Sequence, residues 1–260
     1  MKQAEHRAIQ VDARTRIVVT EVGNGPAIVI LPSIGRGAAE MGDLAEALAS
    51  RGYKVLLPEP RGFGGSIGPD DFTLRDLADD VAASIDGLGP AIVAGHAFGN
   101  WVARMTAARH AGKVAGVVLL AAAARNWPRE LAGHVEASAD ANLPRDVRLA
   151  SLRRAFFADG NDAVPWLDGW HLDVLHRQRR CIDTVPVEEW RAAGISPILD
   201  LQGSEDPFRP EPSREELTDE FPGRAERVTI AAASHALPVE QPDRCGEAIA
   251  EWIKRRRLFD

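Results

Sequence analysis

Three short segments carry the side chains with which this chain could do chemistry. Gly95-His96-Ala97-Phe98-Gly99 follows the apolar run Ala91 to Ala94, and its two glycines bracket a tip residue as in a sharp strand-to-helix turn. A serine at such a tip holds its hydroxyl clear of the backbone as a nucleophile, but the tip here is Ala97, a methyl group. Gly203-Ser204-Glu205-Asp206-Pro207 follows an apolar run ending at Leu201, and Ser234-His235-Ala236-Leu237-Pro238 follows another ending at Ala231. A carboxylate beside an imidazole fixes the ring's tautomer and steadies the imidazolium that forms when the ring takes a proton. Asp206 is the candidate carboxylate, with Glu205 the weaker alternative, and His235 is the candidate base.

The elements that must position these residues can be read from periodicity and turn signals. Arg7 to Asp12 and Thr15 to Val22 are β-type runs. Gly23-Asn24-Gly25-Pro26 turns the second into the apolar strand Ala27 to Leu31. Further strands are expected at Tyr53 to Leu57, Ala91 to Ala94, Val114 to Leu120, Pro197 to Leu201 and Arg227 to Ala231. Helices are expected near Ala39 to Ser50, Leu74 to Ile85, Trp101 to Arg109, Arg214 to Glu220 and Arg244 to Arg257. Thr73 and Asp76 have the spacing of a capping box. Short apolar strands alternating with helices indicate an α/β protein with a mostly parallel sheet covered on both faces. The alternation breaks between Arg125 and Gly194, a stretch with four prolines and a dense share of the aromatics that reads as short helices. The expected organisation is a core over 1–124 and 195–260, with a helical cap inserted over 125–194.

Composition narrows the partners. A chain of 260 residues that is 45% apolar can bury a sizeable single core, and it contains no apolar run near the roughly 18 residues that span a bilayer. The charge of −7 disfavours nucleic acid, whose binding needs a concentrated basic surface. Lys254-Arg255-Arg256-Arg257 instead complements the dipole at a helix end. The charged start Met1 to Arg7 lacks the pattern of a signal peptide, and the two cysteines are too few for a disulfide framework. The expectation is a cytoplasmic monomer or homodimer acting on a small molecule, without nucleic acid or membrane. No cofactor or metal is expected. Gly62-x-Gly64-Gly65 lacks the lysine of a phosphate loop, and His171, Asp173 and His176 lack metal-ligand spacing.

Taken in chain order, turn tip, acid and histidine resemble the catalytic parts of the α/β-hydrolase fold superfamily, of the lid-bearing epoxide-hydrolase and C–C-hydrolase type, over nearly the whole chain. The resemblance implies an eight-stranded, mostly parallel sheet with helices on both faces and an inserted lid. It implies that Ala97 holds the nucleophile position, and that Asp206 and His235 complete a triad. The backbone N–H groups of Ile34 and Phe98 would form the oxyanion hole. This chain departs from the family's usual His-Gly in the first of these loops, which reads Pro32-Ser33-Ile34-Gly35-Arg36. Ser33 places a hydroxyl near developing charge, and Arg36 is a candidate for an anionic substrate group. Trp166 and Trp170, among the cap aromatics, are candidates to line an apolar or aromatic substrate site.

Ala97 leaves more than one chemistry open. One reading is a serine esterase or C–C hydrolase whose serine has been replaced, leaving it inactive. Another is a native non-covalent site in which His235 and Asp206 activate water or a substrate proton, which covers direct hydrolysis, a lyase or a cofactor-free dioxygenase. A non-catalytic ligand receptor on the same scaffold is a third.

Overall fold

The computed structural model describes residues 4–260. Its centre is one eight-stranded sheet in the order β1-β2-β4-β3-β5-β6-β7-β8. The strands are β1 (Glu5–Gln10), β2 (Arg16–Val22), β3 (Ala27–Leu31), β4 (Lys54–Pro58), β5 (Ala91–His96), β6 (Val114–Leu120), β7 (Ile198–Gly203) and β8 (Ala225–Ile230). β2 pairs antiparallel with β1 and β4, and the other pairings are parallel. The helices are α1 (Gly42–Ala49), α2 (Leu74–Ser84), α3 (Gly99–Arg109), α4 (Leu131–Ala139), α5 (Arg145–Ala155), α6 (Leu172–Ile182), α7 (Val187–Trp190), α8 (Glu216–Glu220), α9 (Leu237–Glu240) and α10 (Pro242–Arg256).

The period of two in the central strands divides their side chains between two cores. Val29, Val93, Val117 and Ile198 face α2 and α3. Ile28, Ile30, Ile92, Ala94, Val118 and Leu199 face α1 and α10, where Trp252 is fully buried. Strands buried on both faces read as continuous apolar runs, which is why they were visible without strict alternation. The Thr73 capping box at the start of α2 is present in both directions.

The segment between β6 and β7 carries α4 to α7 and the 3-10 turn Val164–Leu167. It has an apolar cluster of its own, in which Leu131, Leu152, Phe156, Trp166 and Leu167 pack onto Phe208 and Ala236 of the core loops. The expected helix over Arg214 to Glu220 is shorter than its pattern: a 3-10 turn, Glu211–Ser213, precedes α8. The closing helix, expected from Arg244, runs unbroken as α10 from Pro242, and the short α9, with Pro238 in its first turn, precedes it without having been expected. No helix among the described residues is long and apolar enough to cross a membrane.

Candidate active site

β5 runs into α3 through Ala97, whose φ of +47° is left-handed. That conformation costs a non-glycine residue on the order of 1 kcal/mol, so the surroundings must enforce it. They do so by close approach. A Cβ on Gly95 would lie 2.1 Å from the carbonyl oxygen of Gly99, and one on Gly99 would lie 2.8 Å from those of Leu31 and Pro32. The Ala97 N–H is tied to the Leu120 carbonyl at 3.0 Å. The methyl therefore stands at the carboxyl end of the sheet, lining a cavity of about 450 Å³.

Asp206 and His235, on the loops after β7 and β8, meet behind the cavity wall, which His235 lines. His235 Nδ1 lies 3.0 and 3.2 Å from the two Asp206 carboxylate oxygens. Asp206 also accepts the Phe208 N–H at 2.8 Å, and both residues are buried. An ionised carboxylate only accepts, so Nδ1 carries the proton and Nε2 offers its lone pair to the cavity. Phe208 lies against the imidazole with ring centroids 4.2 Å apart. Glu205 points to solvent, which leaves Asp206 as the partner.

The loop after β3 faces this pair. The Ser33 N–H donates to Glu40 at 2.8 Å and the Gly35 N–H to Gln178 at 2.7 Å, while the Arg36 N–H turns back to the Ser33 carbonyl. Among the described residues the N–H groups of Ile34 and Phe98 have no hydrogen-bond partner, and both residues line the cavity. The Ser33 hydroxyl is buried in the same wall, also without a partner. Buried donors are seldom left unpaired, so three at one cavity wall mark a place for an acceptor.

Arg36, Trp166 and Trp170 are not where the sequence reading put them, since none of the three lines the cavity. The Arg36 guanidinium lies 4.4 Å from the Trp166 ring centroid and 4.9 Å from that of Trp170. It bonds Glu40 at 2.5 Å and the Asp168 carbonyl at 2.8 Å. A guanidinium buried against two rings and bonded through Nε and Nη1 to Glu40 and the Asp168 carbonyl is held away from the cavity; its role is to seat the helical segment on the β3 loop. His171 stacks on Phe63 and His176 pairs with Glu136.

Sequence reasoning missed Glu40 and His96. His96 is fully buried; its Nε2 lies 2.7 Å from the His235 carbonyl, and its Nδ1 lies 3.6 Å from Glu40. The period of two from Ile92 and Ala94 aims His96 toward the α1 face, where Glu40 sits, so that half of the pairing was readable. Burial works against ionisation of Glu40. The neighbouring His96 and Arg36 and the Ser33 N–H outweigh it and hold the carboxyl below the ordinary glutamate range. Asn100, whose side-chain amide donates to the Ala97 carbonyl, and the wall residues Trp101, Trp127, Phe156 and Phe208 were likewise not singled out as cavity lining.

Comparison with known proteins agrees with this fold. A family model described as "Alpha/beta hydrolase family" matches residues 28–248. The chain is 25% identical to the pimeloyl-[acyl-carrier protein] methyl ester esterase of Aeromonas hydrophila over 91% of its own length and 99% of that protein's. It is 24% identical to 3-oxoadipate enol-lactonase 1 of Acinetobacter baylyi, over 89% and 90%. Two shorter matches, 32% and 31% identical, span 44% and 35% of those relatives' own lengths. Among solved structures, an esterase from Exiguobacterium antarcticum superposes with a TM-score of 0.78 at 17% identity, over 96% of this chain and 100% of that one.

Proposed function

The chain belongs to the alpha/beta hydrolase family, and we propose that it hydrolyses small apolar or aromatic carboxylic esters without forming an acyl-enzyme. His235 Nε2 takes a proton from water as the water oxygen adds to the ester carbonyl. The carbonyl oxygen becomes an oxyanion held by the N–H groups of Ile34 and Phe98 and by the Ser33 hydroxyl. The oxyanion collapses, the bond to the alkoxide breaks, and the leaving oxygen receives the proton from His235. The products are a carboxylic acid and an alcohol. Asp206 keeps Nδ1 protonated throughout. The segment 125–194 is the lid that closes the apolar wall over the substrate.

One observation carries this reading: a backed imidazole and unpaired donors converge on one cavity while the nucleophile position is a methyl. The apolar wall and the names of two relatives, an esterase and an enol-lactonase, support an ester as substrate. The test compares this chain, Ala97→Ser and His235→Ala on aryl and alkyl esters, epoxides and β-diketones. We expect the unaltered chain to turn over aryl esters with no trappable acyl intermediate. His235→Ala should lower kcat by about 10²-fold or more. Ala97→Ser should raise the rate and yield a trappable acyl-enzyme. Activity confined to the Ser variant would overturn the non-covalent mechanism. Ligand binding with no turnover by any of the three would make the protein a receptor.

A further inference from the structure

The cavity at His235 continues into a second one of about 710 Å³, and the two share Trp101, Ala123, Trp127, Arg129, Arg179 and Ile182 as a neck. Charge is distributed unevenly between them. Among the described residues no carboxylate lines the inner cavity, and its charged groups are Arg129 and Arg179 at the neck. The outer cavity is mixed, with Asp183, Glu188 and Glu220 beside Arg125 and Arg191. An unbalanced cation at the mouth of an apolar pocket is worth more than one on an open surface, because low-dielectric walls focus its field. In a chain with a net charge of −7, that neck is a local reversal of sign.

The two arginines are not equivalent. Arg179 pairs with Glu136, which also takes His176. Burial works against ionisation of Glu136, but His176 and Arg179 outweigh it and hold the carboxyl below the ordinary range. Arg179 is therefore electrically matched. Among the described residues Arg129 has no carboxylate partner. Its guanidinium lies over the Trp127 ring, 4.8 Å from the centroid, which fixes the side chain while leaving its donors free. The neck thus offers one uncompensated positive charge with a planar, bidentate donor fork.

We propose that Arg129 binds a carboxylate at the end of the substrate remote from the scissile carbonyl. The substrate class is then a monoanionic apolar ester, whose hydrocarbon part fills the wall of Phe156, Phe208 and Trp101. A single free charge fits a carboxylate better than a phosphate dianion. The assignment rests on the proposed ester hydrolysis for its orientation, but the anion site itself is independent of catalysis.

The test is equilibrium binding of 4-phenylbutyrate, with 4-phenylbutan-1-ol as its neutral counterpart, read by calorimetry and by intrinsic tryptophan fluorescence. The full chain in a His235→Ala background keeps turnover out of the measurement. We expect the carboxylate to bind about tenfold more tightly than the alcohol. Arg129→Gln should erase that difference and leave alcohol binding unchanged, whereas Arg180→Gln, on the exposed side of α6, should change neither. Rising salt should weaken the carboxylate alone. Arg129 is exposed, so unchanged thermal unfolding of the variant separates lost binding from lost structure. Equal affinities for the two probes, or a preference that survives Arg129→Gln, would overturn the proposal. With the unaltered chain, KM for mono-4-nitrophenyl adipate should lie below that for 4-nitrophenyl hexanoate. If neither ester turns over while 4-phenylbutyrate still depends on Arg129, the hydrolytic reading fails and the anion site stands.

Discussion

Glu40 joins the two sides of the site through one buried carboxylate. It accepts the Ser33 N–H on the β3 loop, pairs with Arg36, and lies against His96, which reaches the His235 carbonyl. Glu40→Gln keeps the size and one acceptor but removes the charge that holds these groups in register. We expect kcat to fall about tenfold with KM little changed, since the oxyanion loop matters most when charge develops. A pH dependence follows. The folded-state pKa of Glu40 is lowered, so its ionisation stabilises the fold above the unfolded value of about 4.3. That contribution is lost as pH falls through the lowered folded value. Thermal unfolding should therefore lose more between pH 6 and pH 3 in the parent than in Glu40→Gln. A parallel decline in both would show that another carboxylate dominates. Asp80 and Asp200 act in the opposite sense. Burial raises their pKa, so they subtract stability as pH rises past the ordinary aspartate range. The two thiols are passive at this scale: burial pushes Cys181 up to about 12 and Cys245 higher still.

The strand-to-helix connection from β5 to α3 works as a unit, and its glycines are steric requirements. Gly95→Ala would drive a methyl into the Gly99 carbonyl at 2.1 Å, a contact with backbone that no rotamer can relieve. We expect a loss of more than about 3 kcal/mol in stability, measured by denaturant unfolding. The substitution Ala97→Ser, by contrast, adds one oxygen on the cavity side and should leave the unfolding midpoint nearly unchanged. Equal destabilisation by the two would mean that the tip is not held as its geometry indicates. This element was legible because glycine spacing and the preceding apolar run are local signals. So were the eight strands and the acid and histidine loops that follow β7 and β8. The separate α9 and the shortness of α8 were less legible, since so few residues hold too little apolar periodicity to mark a helix or its start.

Across the molecule, the segment between β6 and β7 is held to the sheet domain in two physically different ways. The rim carries exposed or half-exposed ion pairs such as Arg75–Glu189, Arg177–Asp70 and Arg191–Glu220. Inside, Arg36 inserts under Trp166 and Trp170, and an isolated bridge pairs Arg36 with Trp170. The sequence offers Trp166 and Trp170 as candidates to line the substrate site, whereas the structure turns both toward Arg36. Residues 36 and 166 are 130 positions apart, and no periodicity reports which tryptophan turns toward the loop and which toward the cavity. The energetic consequences differ accordingly. Exposed pairs contribute about 0–1 kcal/mol each, so Arg75→Gln should barely move the melting temperature. Arg36→Gln strands Glu40 without its cation in a buried site and removes two cation–π contacts, which should cost about 3–5 kcal/mol. The measurement that distinguishes a seat for this segment from general stabilisation is amide hydrogen exchange. In Arg36→Gln, protection should fall first over residues 164–178 and over the loop after β3, with β5 to β7 retained. Uniform loss of protection across the sheet would mean that Arg36 supports the whole fold. Localised loss, together with a raised KM for large esters, would assign to it the docking of the lid that shapes the substrate site.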